Sequence, residues 1–363
     1  MVEQLLQPIA LFLLSIIAIY SAVLVLLLKK LRAKQKKSKP NYVNRAQKEI
    51  DLADAETSQR FKDKADEALR LTNTFQKFVP KQFVDHFSKH GSGSLELGRA
   101  VEDEVAILFC DIRGFTGLSE RMSPQELMKF LNSYFLRMND PIHLNGGFID
   151  KFIGDAIMAL FDHPDGENKD KATDAIKAAL DLRYAITIYN EHRSNSNYPP
   201  VNIGIGIHFG PVIIGTVGSD DRMDTTVLGD SVNLAFRLEA LAPRYKTDIV
   251  VSAQTLKVAE ASKRFKYRVL DWVRVKGRTA PIEIYEIIDH QASDVQKLKL
   301  ANADLIKQGL DCRINQDWEQ ARQHFRDALI INPQDTLVIH HLEQCDLLQN
   351  SPISKNWDGA LDL

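Results

Sequence analysis

The apolar run KFIGDAIMALF, residues 151–161, is cut in its middle by Gly154 and Asp155. Two strand-length apolar pieces joined by Gly-Asp read as a β-hairpin, because glycine reaches the left-handed backbone that tight turns require. The same spacing sets a carboxylate among buried strands, where a charge is costly without a partner. A fold for this chain must therefore contain an antiparallel pair here and something that compensates Asp155. The neighbouring segments extend the pattern. VAILFCDI (105–112) is a second β-rich run, SPQELMKFLNSYFLRMNDPI (123–142) has helical periodicity behind a Ser-Pro start, and DKATDAIKAALDLRYAITIYNEH (170–192) is a helix. VNIGIGIHFGPVIIGTVG (201–218) is strand-like with glycines, a helix begins near Ser231, and FKYRVLDWVRVK (265–276) and IEIYEII (282–288) are strands. Strands alternating with helices in this order predict an α+β or α/β domain of roughly 190 residues.

The chain has 363 residues, enough for two or three folded units. Its formal charge of -2 leaves no broad basic field, so nucleic acid is not an expected partner. Cys110, Cys312 and Cys345 are far apart and follow no metal-ligand spacing, which fits a reducing compartment. Residues 1–7 precede PIALFLLSIIAIYSAVLVLLL (8–28), an uncharged run as long as a helix across a bilayer. Residues 29–40 follow with seven basic side chains and no acid, which by the positive-inside rule belong on the cytoplasmic side. A cleaved signal peptide competes, but it needs a basic start and a shorter apolar core. The expectation is a single-pass protein of the plasma (inner) membrane, with residues 1–7 outside and the rest in the cytoplasm.

Residues 41–95 read as a helical linker. Between Tyr42 and Val79 there is no Gly or Pro, and two heptad stretches meet at Thr57 through a stutter. The seam, poor in large residues, fits either a parallel two-stranded coiled coil or a solvated single helix. Pro80 ends it, and HGSGS (90–94) sets a boundary, leaving 96–290 for the α+β domain. In 291–363, Gly309, Ala321, Phe325, Ala328 and Pro333 hold the relative positions of one tetratricopeptide repeat. A single repeat cannot bury its face alone. An all-α hairpin packing on the domain or on a dimer mate is expected, with a protein partner of the repeat as a further use.

Chemistry concentrates at three places. Asp111 ends a strand, and Gly114 turns the chain into a helix starting at Phe115 and Thr116, whose free N–H groups beside a carboxylate suit a phosphate and its metal. Capping accounts for such an Asp as well. If their strands are neighbours, Asp111 and Asp155 converge and hold divalent cations a few Å apart, as in-line displacement at phosphorus requires. In TTVLGDSVNLAFRLEA (225–240), Asn233 and Arg237 are four apart and share one helix face, as an ordinary polar face would also provide. Lys276 and Arg278 add cations on a glycine-containing turn.

FCDIRGFT (109–116), KFIGDAIMALF and TTVLGDSVNLAFRLE, in this order and separation, resemble the class III nucleotidyl cyclases, and the resemblance runs from about residue 80 to residue 290. FVPKQFV (78–84) is similar to the leading segment of many bacterial members. The resemblance implies a ferredoxin-like β-α-β-β-α-β core with extra elements, and an adenylate cyclase that turns ATP into 3′,5′-cyclic AMP and pyrophosphate with two divalent cations, Mg²⁺ or Mn²⁺. It implies that Asp111 and Asp155 bind those metals with help from the Ile112 carbonyl, and that Phe115 and Thr116 lie against substrate. Lys151 and Thr226 match the adenine-reading pair, where guanylate-specific members carry Glu and Cys. Asn233 and Arg237 match the residues that position the ribose and stabilise the transition state, and Lys276 matches a triphosphate contact. Pro211 stands where some membrane-bound relatives have an arginine near the phosphates. In the family the metal aspartates come from one protomer and the other groups from its partner, which implies a homodimer with composite sites. A guanylate cyclase and a cyclase-like membrane scaffold without turnover are the rival readings.

Overall fold

The computed structural model describes residues 19–31, 40–75, 100–163, 166–219, 221–353 and 357–363. They fall into two units, divided between Phe78 and Val79. In the first, residues 19–31 are helical and Pro40–Phe75 form α1. From Thr57 to Thr74 every side chain of α1 is exposed, the seam residues Phe61, Ala65, Ala68 and Thr72 included.

Among the described residues no helix is long and apolar enough to cross a membrane. This corrects the expected single-pass location in the inner membrane. Residues 8–18, most of the basic segment, Pro80, FVPKQFV and HGSGS lie outside the described residues.

The second unit opens with β1 (Ala100–Ile112), the single-turn α2 (Phe115–Ser119), α3 (Pro124–Leu144), β2 (Phe148–Ile153), β3 (Ala156–Phe161), α4 (Asn168–Asn195) and β4 (Ile203–Ser219). The strands lie in the order β2-β3-β1-β4, all antiparallel, which is the ferredoxin-like arrangement of a β-α-β-β-α-β chain. Next come β5 (Arg222–Leu228), α5 (Asp230–Leu241), β6 (Ile249–Ser252), α6 (Ala253–Val258), β7 (Tyr267–Arg274) and β8 (Ile282–Ile287). β6 adds parallel to β4, β8 and β7 follow antiparallel, and β5 folds back on the second half of β4.

β1 is buried on both faces, which is why its sequence is a continuous apolar run rather than an alternating one. Ala106, Leu108 and Cys110 face Tyr134 and Met138 of α3 and Ile176 and Leu182 of α4. Val105, Ile107 and Phe109 point the other way, toward Val212, Val227 and Ala235. On that side α5 lies directly on β4. A Cβ at Gly206 would stand 2.2 Å from the Glu239 nitrogen and 2.5 Å from the Ala235 oxygen, so the missing side chain is what admits the helix. α3 starts where Ser-Pro announced it, with a reciprocal capping box between Ser123 and Glu126.

The tail comprises α7 (Ser293–Ala301), α8 (Ala303–Ile314), α9 (Trp318–Ile331), α10 (Thr336–Gln349) and a two-residue β9 (Leu361–Asp362). Gly309 of α8 meets the Phe325 ring of α9, where a Cβ would come within 2.6 Å. Phe325, Ala321, Ala328 and Leu310 share one core with Leu234 and Leu238 of α5 and Leu270 and Val273 of β7. The helical hairpin thus packs on the sheet of its own chain. Polar groups join the layers too: buried Arg268 of β7 pairs with Glu286 of β8 and Asp335 before α10, and Arg313 of α8 with Asp271.

Candidate active site

The two aspartates meet because of strand register. Cys110 of β1 pairs with Ile157 of β3, so the turn Gly154-Asp155, with Gly154 at φ 65°, arrives beside Asp111. Burial pushes the Asp155 carboxyl up to about 7, and the hydrogen-bonding closeness and charge of Asp111 push in the same direction, against the backbone amides of Asp155 and Ile112. Asp155 Oδ2 is buried without a hydrogen-bond partner. Two crowded carboxylates with an orphaned oxygen are a hard-oxygen donor set that suits Mg²⁺ or Mn²⁺. Gly114, left-handed at φ 67°, turns the chain into α2, so Phe115 and Thr116 directly follow the Asp111 strand end. With five residues, α2 carries little of a helix dipole.

Lys151 and Thr226 are 75 residues apart and touch: Lys151 Nζ donates to Thr226 Oγ1 at 2.8 Å. The hairpin of β4 and β5, with Gly215 opposite Thr226, delivers the threonine. Asp150 and Asp224 lie 3.6 and 3.8 Å from the same ammonium. Burial pushes the Asp150 carboxyl up to about 6, against the pull of Lys151.

Asn233 is exposed on α5 and Arg237 half-buried one turn on, as the four-residue spacing predicts. A Cβ at Gly277 would lie 3.2 Å from Arg237 Nη2, so the turn carrying Lys276 rests against that guanidinium. Lys276 itself is exposed, and Arg278 Nε is 3.4 Å from Asp230 at the start of α5. The predicted residues therefore gather as three groups: Asp111 with Asp155, Lys151 with Thr226, and Arg237 with the Lys276 turn. Among the described residues no hydrogen bond or ion pair joins one group to another.

Sequence reasoning missed one pair inside its own motifs. Arg113 Nη1 donates to Glu239 Oε1 at 2.9 Å, linking the end of β1 to α5. The guanidinium lies where a side chain on Gly204 would be, 1.5 Å from its Cβ position. Burial pushes Glu239 up to about 7 in spite of Arg113. The signal available was that Arg113 and Glu239 each stand two residues beyond a motif residue, Asp111 and Arg237. Elsewhere Asp271, His340 and His341 bring possible ligand atoms within 4.8 Å of one another. Asp271 already accepts from Arg313, Tyr245 and the Trp272 amide, and a buried guanidinium opposes a dication, so this cluster is structural. A cavity of about 520 Å³ between α3 and the end of α4 is lined by none of the predicted residues.

Residues 99–289 match the family described as the adenylate and guanylate cyclase catalytic domain. The chain is 41% identical over 224 residues to an adenylate cyclase of Anabaena cylindrica, a match covering 60% of this chain and 43% of that one. It is 36% identical over 276 residues to the terminal-differentiation-specific adenylate cyclase of Dictyostelium discoideum, covering 76% of this chain and 13% of that one. Among solved structures it is similar to the adenylyl cyclase CyaB from P. aeruginosa, with 31% identity and a TM-score of 0.50 over 54% of this chain and 98% of that one. The chain spans less than half the length of either named relative.

Proposed function

Because the chain belongs to the adenylate and guanylate cyclase catalytic domain family, we propose that its second unit is an adenylate cyclase, converting ATP to 3′,5′-cyclic AMP and pyrophosphate. The observation that carries the reaction is the crowding of Asp111 against Asp155, with a carboxylate oxygen buried and unpartnered. Divalent cations, Mg²⁺ or Mn²⁺, held there with the Ile112 carbonyl would supply Lewis acidity toward the ribose 3′-oxygen and the phosphates. The remaining steps belong to side chains. Lys151, one donor engaged by Thr226, keeps others for adenine N1, an acceptor; the N1–H of guanine would oppose it. Asn233 orients the ribose, Arg237 neutralises charge developing on the α-phosphoryl group, and Lys276, with Phe115 and Thr116, holds the triphosphate. Two chains share each site, the metal pair from one protomer and the other two groups from its partner, as the resemblance to the family implies.

The test is to incubate the purified chain with Mn²⁺ and either ATP or GTP and to quantify both cyclic nucleotides, beside an Asp155→Ala control. Cyclic AMP that disappears in the control is expected. Cyclic GMP as the main product would overturn the roles given to Lys151 and Thr226. Nucleotide binding without any product would make the protein a scaffold.

A further inference from the structure

We propose that the segment Trp357–Leu363 is a strap that sets the position of Lys276, so that ATP binding depends on the far end of the helical tail; this rests on the triphosphate role given to Lys276 above. The keystone is Arg274, the last residue of β7. Its Nε donates to the Thr279 carbonyl at 2.9 Å, closing the 275–279 turn from the inside. Its Nη1 donates to Asp362 at 2.6 Å and its Nη2 to Asp358, so one planar guanidinium ties the turn to two points on the strap. The backbone repeats the connection. β9 runs parallel to β7, the Leu363 amide donates to the Arg274 carbonyl at 2.9 Å, and the Lys276 amide donates to the Leu363 carbonyl at 2.8 Å.

The strap has its own anchors in the tail and on β7. Ala360 and Leu361 are buried, Gly359 at φ 84° passes over Ile314 of α8, and Trp357 packs on Trp318 of α9 with ring centres 5.9 Å apart. Trp272 Nε1 donates to the Asp358 carbonyl at 3.2 Å. On its opposite side the turn meets α5, through Gly277 against Arg237 and Arg278 near Asp230. The backbone of Lys276 is thus fixed between the helix that carries Asn233 and Arg237 and the segment that ends the tail. Its ammonium, exposed and without a hydrogen-bond or ion-pair partner among the described residues, is left for a ligand.

The experiment is a double-mutant cycle in the full chain. Asp358→Asn with Asp362→Asn keeps the shape of the strap and weakens its hold on Arg274. We expect it to raise KM for ATP about fivefold with kcat within about twofold, and to add nothing in a Lys276→Ala background, since both changes then remove one contact. Arg274→Met should behave alike if its thermal midpoint shows that it folds. Effects that add to those of Lys276→Ala, or a fall in kcat with KM unchanged, would overturn the strap. So would a Lys276→Ala variant with unaltered KM, which leaves the reaction itself, judged by Asp155→Ala, standing. Calorimetric binding of α,β-methylene-ATP reads the same cycle without turnover, so failure of the strap and failure of the cyclase reading are separable.

Discussion

At Lys151 the proposed base reading comes down to one hydrogen-bond donor, which favours adenine N1 over the guanine N1–H. Changing Lys151→Glu with Thr226→Cys puts an acceptor where the donor stood, and the ratio of kcat/KM for GTP over ATP should rise by at least about tenfold, since a mispaired buried polar group costs 1–3 kcal/mol. An unchanged ratio would show that these two side chains do not face the base. His341 gives a second prediction, in stability. It is fully buried, donates to the Leu270 carbonyl at 2.8 Å and faces Asp271, Arg313 and His340. Burial pushes its imidazole down to about 3, with Asp271 opposing. Between that value and the ordinary 6.5 the unfolded chain holds a proton that the folded chain lacks, so stability falls as pH drops. Asp150 and Glu239, both raised, act in the opposite sense, so the readout is a difference. Between pH 7 and pH 5 wild type should lose on the order of 2 kcal/mol more than His341→Gln in urea denaturation. That Asp111 and Asp155 would converge was legible in the sequence because each lies at a strand end or turn with a glycine close by, Gly114 and Gly154. Arg113 and Glu239 were not, because 126 residues separate them and neither breaks a local pattern.

The elements separate by how local their causes are. α3 was readable from Ser123-Pro124 because its cap is made by residues three apart, and the β2–β3 hairpin was readable from Gly154 because the turn itself demands it. β6 and β9, of four and two residues, carry too little pattern to stand out, and each exists through strands distant in sequence, β4 and β8 for β6 and β7 for β9. The seat of α5 on β4 was likewise invisible, since Gly206 is one of several glycines in a strand-like run. Gly206→Ala should push α5 off the strand, costing about 2–3 kcal/mol from overpacking against backbone. Turnover should fall with it, because Asn233 and Arg237 ride on that helix; a variant with normal melting and normal kcat would sink the argument. The apolar run at 8–28 gave the expectation of a membrane span, and among the described residues no helix is long and apolar enough to be one.

For the whole molecule, composite sites predict complementation. On the proposed roles, Asp155→Ala removes the metal half and Arg237→Ala the transition-state half, so each alone should be inactive. Mixed in equal amounts under conditions of subunit exchange, random pairing should restore about a quarter of wild-type activity, since half of the dimers then hold one intact site. Recovery near zero, with exchange demonstrated, would assign all three groups to one chain. The tail belongs to the same scale. Its core is continuous with that of the sheet, and Arg268 reaches Glu286 on one side and Asp335 on the other while buried, so tail and sheet are expected to unfold in one transition.

The small β9 also bears on how the unit is made. β7 is finished at Arg274, but its parallel neighbour is Leu361–Asp362, 88 residues downstream of the arginine that grips it. β1 likewise waits along its whole length for β4. Such pairings close long loops, and their high contact order makes assembly slow compared with helix formation. On the ribosome the sheet can form early while its edge stays open, and the Lys276 turn is completed only after the last helices have emerged.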